Sequence, residues 1–224
     1  MGLTVDDIKK RIDAVMARYR HASVTSAGGL TLNMTPGKLY EAWVLSVILE
    51  NLRNHERYEV ILVGSDKMRL RSSGGPIDRS FAYFALRQRG QSLLEVWTDI
   101  EILTLSHHLR RGELPPQRGD CHELDIVILP AGIRSGFPPH NLVRMAVECK
   151  NTAFQKHMMR AALGVRRELS YLTTPRRTSF SIWPRRDVAA DPASVLAVYS
   201  TDPTVAEYDE AGQVFGVDFI HEPM

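Results

Sequence analysis

Cysteine is nearly absent from this chain: Cys121 and Cys149 are the only two among 224 residues. Two thiols supply no disulfide framework, so a small cross-linked secreted scaffold is excluded and a reducing cytoplasm is the expected setting. No apolar run approaches the ~20 residues needed to span a bilayer, so no membrane partner is expected. There is no internal repeat and no low-complexity tract. The opening stretch MGLTVDDIKKRIDAVMARYR is amphipathic and carries acids, which argues against a signal or transit peptide. Gly2 lacks the context of a myristoylation site. No Walker A sequence occurs, and Gly28-Gly29 and Gly74-Gly75 lack the strand–glycine–helix setting of a phosphate loop. Ser170 and Cys149 show no sign of an activated-nucleophile arrangement.

Net charge is also small, at +2, but it is unevenly spread. Between Lys150 and Arg186 nine Lys/Arg stand against one acid, Glu168, so this segment carries +8 and the remainder about −6. Such asymmetry points to a polyanion-binding face on the C-terminal half.

The pattern predicts a helix over 5–20 capped by Thr4, with Asp7 three residues on. A second helix, TPGKLYEAWVLSVILENLRNH, has Thr35 as N-cap and Pro36 at its first position. The stretch 21–34 between them reads as a loop. Strand-like runs follow: YEVILVG, KMRLRSS, SFAYFALRQ and SLLEVWTDIEILTLS, separated by turn signals such as Arg89-Gly90-Gln91. HELDIVILP and LVRMAVECKN read as two further strands, 152–172 as a helix, SFSIWP and ASVLAVYS as short strands, and the last twenty residues as a hairpin. A single α/β domain spanning 1–224 is expected: a mixed sheet flanked by helices, with 54–118 as a β-rich elaboration.

Two strands carry charge where apolar residues are expected. In MAVECKNT, period-two geometry sends Ala146, Glu148 and Lys150 to one face and Met145, Val147 and Cys149 to the other. In HELDIVILP, Asp125 shares a face with Val127 and Leu129, and Leu124 goes with Ile126 and Ile128 on the other. A carboxylate among apolar neighbours is costly unless it is paired or binds a metal. On the second helix, Glu41 falls between Ile48 and Leu52 on the apolar face. If the two strands are neighbours, three acids and one lysine converge. Hard oxygen ligands select Mg²⁺ or Mn²⁺, and such a metal suits phosphodiester hydrolysis.

Glu41 on a helix, Asp125 on a strand, Glu148-Cys149-Lys150 on the next strand and a basic helix after it resemble the PD-(D/E)xK phosphodiesterase superfamily, which includes restriction endonucleases. The resemblance covers 36–54 and 122–183. It implies a three-layer α/β/α core around a central mixed sheet of about four strands. It implies a Mg²⁺-dependent endonuclease acting on DNA, with Mn²⁺ able to substitute. Asp125, Glu148, Glu41 and the backbone carbonyl of Cys149 would be the metal ligands, and Lys150 the catalytic lysine. Gln155, early in the following helix, falls where some members place a polar residue near the site. Leu124 stands where the motif's name has proline. A restriction or antiviral defence nuclease is the implied setting, as a homodimer or as the nuclease subunit of a larger complex. Lys156, Arg160, Arg166, Arg167, Arg176 and Arg177 are then expected along the nucleic-acid backbone.

Two other classes compete. One is a non-catalytic nucleic-acid-binding or assembly subunit; the other is an RNA-directed nuclease or toxin. Asp99 and Glu101 are an alternative first acid, but a solvated strand face is the expected reading. His107, His108, Cys121 and His122 match no standard zinc spacing.

Overall fold

The computed structural model describes residues 4–19, 35–64, 70–71, 73–111 and 115–224. The expected loop at 21–34 lies outside these residues, as does most of the expected strand KMRLRSS. Helix α1 (Val5–Arg18) begins with Thr4 and Asp7 in a reciprocal capping box. Helix α2 (Pro36–His55) begins with Thr35 Oγ1 accepting from Lys38 N at 3.3 Å. Both caps fall where the sequence predicts.

Among the described residues nine strands form two sheets. The large one has seven, in the order β1 (Glu59–Val63), β2 (Tyr83–Gln88), β3 (Gln91–Leu103), β4 (Cys121–Pro130), β5 (Met145–Lys150), β8 (Val195–Ser200) and β9 (Val217–His221). Pairing is antiparallel from β1 through β5, then parallel for β5–β8 and β8–β9. The β2–β3 hairpin turns on Arg89 and Gly90, both with positive φ, as a two-residue turn matched to strand twist requires. Residues 54–118 thus supply three strands contiguous with β4. A separate two-stranded sheet pairs β6 (Tyr171–Arg177) with β7 (Asp187–Asp191).

Helices lie on both faces of the large sheet. One core cluster joins α1 and α2 to Val96, Ile126, Ile128, Met145 and Val147. The other joins helix α4 (Lys156–Leu169), through Ala162, Val165 and Leu169, to Trp97, Val127, Leu129, Ala146 and Leu196. The short helices α3 (Leu105–Arg111) and α5 (Asp209–Val214) complete the fold.

Several sequence expectations give way. Helix α4 starts at Lys156, and the residues read as its end, Tyr171 and Leu172, open strand β6. SFSIWP forms no strand: the backbone N–H groups of Ser181, Ile182 and Trp183 are all satisfied by the Glu56 carboxylate. The C-terminus is not a hairpin, because β9 follows α5 and pairs in parallel with β8. The strict alternation expected of HELDIVILP also fails, since Leu124 joins the cluster of Val127 and Leu129 and not that of Ile126 and Ile128. The slip falls at Asp125. Its neighbour β3 slips at the same level, where Trp97 and Ile100 share a cluster and Asp99 between them has φ +55°.

Candidate active site

Strands β4 and β5 pair over only three positions, Ile126–Val147, Val127–Ala146 and Ile128–Met145. Beyond Val147, β5 stays with β8, and β4 stays with β3. The sheet therefore splits at the level of Asp125 and Glu148. A backbone N–H exposed by such a split needs an acceptor, and the Asp125 side chain provides it: its Oδ2 accepts from Cys149 N at 2.6 Å. Across the gap the first turn of α2 approaches. Asn151, directly after β5, donates to the Pro36 carbonyl at 3.1 Å and accepts from Thr201 Oγ1 at 3.1 Å. This bridge sets the start of α2, and so Glu41, beside the split.

Glu148 lies between two cations. Lys150 Nζ donates to its Oε2 at 2.8 Å, and His122 Nε2 stands 3.7 Å from its Oε1, an ion-pair contact too long for a hydrogen bond. The other His122 nitrogen, Nδ1, lies 2.8 Å from Glu168 Oε2 on α4. Burial disfavours the imidazolium, but Glu148 and Glu168 outweigh it and push His122 up to about 9. Burial likewise opposes charge on Lys150, yet Glu148 and Asp125 hold its pKa above the usual value. Burial would raise Glu148, but His122 and Lys150 hold it below the usual carboxylate range. Asp125 goes the other way: burial and then the charge of Glu148 raise it. Of the two strand acids, Glu148 is the one kept ionised and Asp125 the one that holds a proton more readily.

On α2, Glu41 is buried enough that its carboxyl is raised to about 7, against the opposing pull of Lys38, whose Nζ lies 2.6 Å from Glu41 Oε2. Lys38 also pairs with Asp99, which is fully buried and whose Oδ2 accepts from Arg71 N at 3.0 Å. The reading of Asp99 as a solvated strand residue is thereby overturned; Glu101 on the same strand is half-buried. Sequence reasoning missed Lys38, although a lysine in the first turn of a helix opposes the helix dipole and calls for a local acid. His122, on β4 three residues before Asp125, entered the sequence reading only within a rejected zinc set, and its place between Glu148 and Glu168 went unread.

Cys149, partly exposed overall, packs its side chain against the α2-side core. Burial and the neighbouring acids push its thiol well above the ordinary range. Gln155 is exposed at the N-cap position of α4 and makes no side-chain cap bond. Lys156, Arg160, Arg167 and Arg177 are exposed and pair with no acid side chain among the described residues. Arg176 lies 3.4 Å from Asp191. Arg166 corrects the expectation that it lines a phosphate path: it is only 6% exposed, and its guanidinium is committed to Ser194 and Ser170 in the interior.

The chain matches no family model, no curated protein and no solved structure.

Whether these residues suit a divalent metal can be tested on the acids themselves. Among the described residues, no three His, Cys, Asp or Glu side chains are gathered into a ready-made cage. Glu41, drawn to Lys38, does not complete such a set with Asp125 and Glu148. Mg²⁺, however, keeps several waters and takes only one or two carboxylates from a protein. The buried Glu148 Oε1 has no hydrogen-bond partner. It meets only the longer ion-pair contact to His122 at 3.7 Å, and a hard cation beside Asp125 would complete its coordination. The residues fit the group.

Proposed function

We propose that the chain is a Mg²⁺-dependent phosphodiesterase acting on DNA, with its site at the divergence of β4 and β5. The observation that carries this reading is the buried Glu148 Oε1 beside Asp125, which accepts no hydrogen bond and meets His122 at 3.7 Å, with Lys150 held against the same carboxylate. Asp125 and Glu148 would hold the metal, with the Cys149 carbonyl as a further ligand. When bound, Mg²⁺ neutralises phosphate charge and favours ionisation of water. The chain's own residues do the rest. Lys150, held protonated by Glu148, donates to a phosphoryl oxygen and stabilises the charge that develops as water attacks phosphorus in line and the opposite P–O bond breaks. Glu41 approaches from α2 and, with a carboxyl raised to about 7, exchanges a proton near neutral pH. His122 fixes the carboxylate of Glu148 and links it to α4 through Glu168. The substrate backbone would run along α4 and β6, over Lys156, Arg160, Arg167, Arg176 and Arg177. A dimer would give two such sites, one for each strand of a duplex.

The test is incubation with supercoiled plasmid, linear DNA and RNA, each with Mg²⁺, Mn²⁺ or EDTA. Cleavage of DNA that requires the metal is expected. Cleavage of RNA alone reassigns the substrate, and cleavage of nothing assigns the fold to a nucleic-acid-binding or assembly role.

A further inference from the structure

Away from the strand divergence, a cavity of about 160 Å³ lies between the last turns of α4 and strands β6 and β7. Its walls are apolar at Leu163, Tyr171, Leu172, Ala189 and Phe215, and its polar groups come from Arg166, Arg167 and Ser170. Two features set it apart from an ordinary packing defect. The apolar walls face outward as well: Leu172 is 60% exposed and Phe215 39%, so the cavity opens to solvent through hydrophobic residues. Beneath them is a buried cation with no counter-charge. Arg166 bonds the Ser194 carbonyl at 2.7 Å, Ser194 Oγ at 2.7 Å and Ser170 Oγ at 2.6 Å, and no carboxylate pairs with it among the described residues. Its Nε is buried without any acceptor. Burial alone lowers its pKa to about 10, with no acid pulling the other way.

A buried guanidinium held only by neutral acceptors keeps its full charge in an apolar setting, which is unfavourable until an anion arrives. A structural arginine stapling α4 to the β7–β8 turn would account for the bonds to Ser170 and Ser194. It would not account for the buried Nε–H left without an acceptor or for an apolar cavity beside the charge. Arg167, stacked on Tyr171 at 5.0 Å, is a second cation in this cavity wall.

We infer that this cavity is a binding site for a small organic carboxylate whose apolar body is about the size of a benzene ring, with its carboxylate received by Arg166. An engineered cavity of about 150 Å³ accepts benzene, which sets the size of the apolar part. Charge complementarity selects the acid over its neutral or cationic analogues. The site is separate from the carboxylate cluster and does not depend on the nuclease reading.

Benzoate, benzamide and benzylamine are the probes, titrated into the full chain by calorimetry and followed by amide chemical shifts. Benzoate is expected to bind with Kd on the order of 1 mM or tighter. Benzamide should be at least about tenfold weaker, because it lacks the charge-assisted bond. Benzylamine should not bind. Leu172→Trp, at an exposed wall, should abolish benzoate binding without lowering Tm. This keeps the test sound even if Arg166→Met fails to fold. Equal binding of benzoate and benzamide, an unchanged benzoate titration in Leu172→Trp, or no benzoate binding at about 10 mM would overturn the inference and leave Arg166 a structural staple.

Discussion

Lys38 shows how much the site rests on single residues. Its ammonium lies between Glu41 and the fully buried Asp99. Removing one partner of a buried ion pair leaves the other charge unpaired, at a cost of about 3–5 kcal/mol. Lys38→Met is therefore expected to lose stability of that order in urea denaturation, and Asp99→Asn in the same background should recover much of it. A loss below about 1 kcal/mol would show that Asp99 is satisfied without the lysine. The sequence makes Asp125, Glu148 and Lys150 legible as charged residues on otherwise apolar strands. It conceals Asp99, because a second acid, Glu101, two positions on in the same strand imitates a wet face. Only the reversal of backbone at φ +55° turns Asp99 into the interior. Arg166 was misread for the opposite reason. A basic run looks solvent-facing, and nothing local announces that Ser170 and Ser194 offer it buried acceptors.

At the scale of elements, what was legible follows from local chemistry. Thr4 with Asp7, and Thr35 with Pro36, mark helix starts because their side chains and ring satisfy or dispense with orphan N–H groups there. What was hidden depends on partners distant in sequence. The 181–183 backbone looks like a strand, yet its donors go to Glu56, some 125 residues earlier. Strand β6 is almost wholly exposed and contains Pro175, so neither periodicity nor propensity reveals it. The divergence of β4 from β5 is likewise a tertiary fact, set by β5 following β8. For α4 the account predicts that Lys156→Ala with Arg160→Ala weakens DNA binding across sequences and reduces the salt slope by up to about two counterions. An unchanged slope, measured by fluorescence anisotropy at several salt concentrations, would move the DNA path off this helix.

For the whole molecule the acids set a pH dependence. Glu41 is raised from 4.5 to about 7, so its protonated form is favoured by folding. Its contribution is fully present below about pH 4.5 and is lost as pH rises toward 7, where the folded protein must ionise a buried carboxyl. Asp125 shifts in the same direction. The metal-free protein should therefore lose some stability across this window. Mg²⁺ should offset the part that comes from Asp125, with a thermal shift larger at pH 8 than at pH 5 because metal competes with that proton. A Mg²⁺-induced shift independent of pH would mean that the ion binds elsewhere.

In the proposed reaction Asp125 and Glu148 would hold a metal beside a lysine, Lys150, that acts on the substrate. The most direct test is Mn²⁺ binding by calorimetry, paired with plasmid cleavage, in the wild type, Asp125→Ala and Lys150→Ala. The account predicts that Asp125→Ala loses both binding and cleavage, whereas Lys150→Ala keeps Mn²⁺ affinity within about a factor of ten and cleaves nothing. Mn²⁺ binding unaffected by Asp125→Ala, or full cleavage by Lys150→Ala, would contradict it.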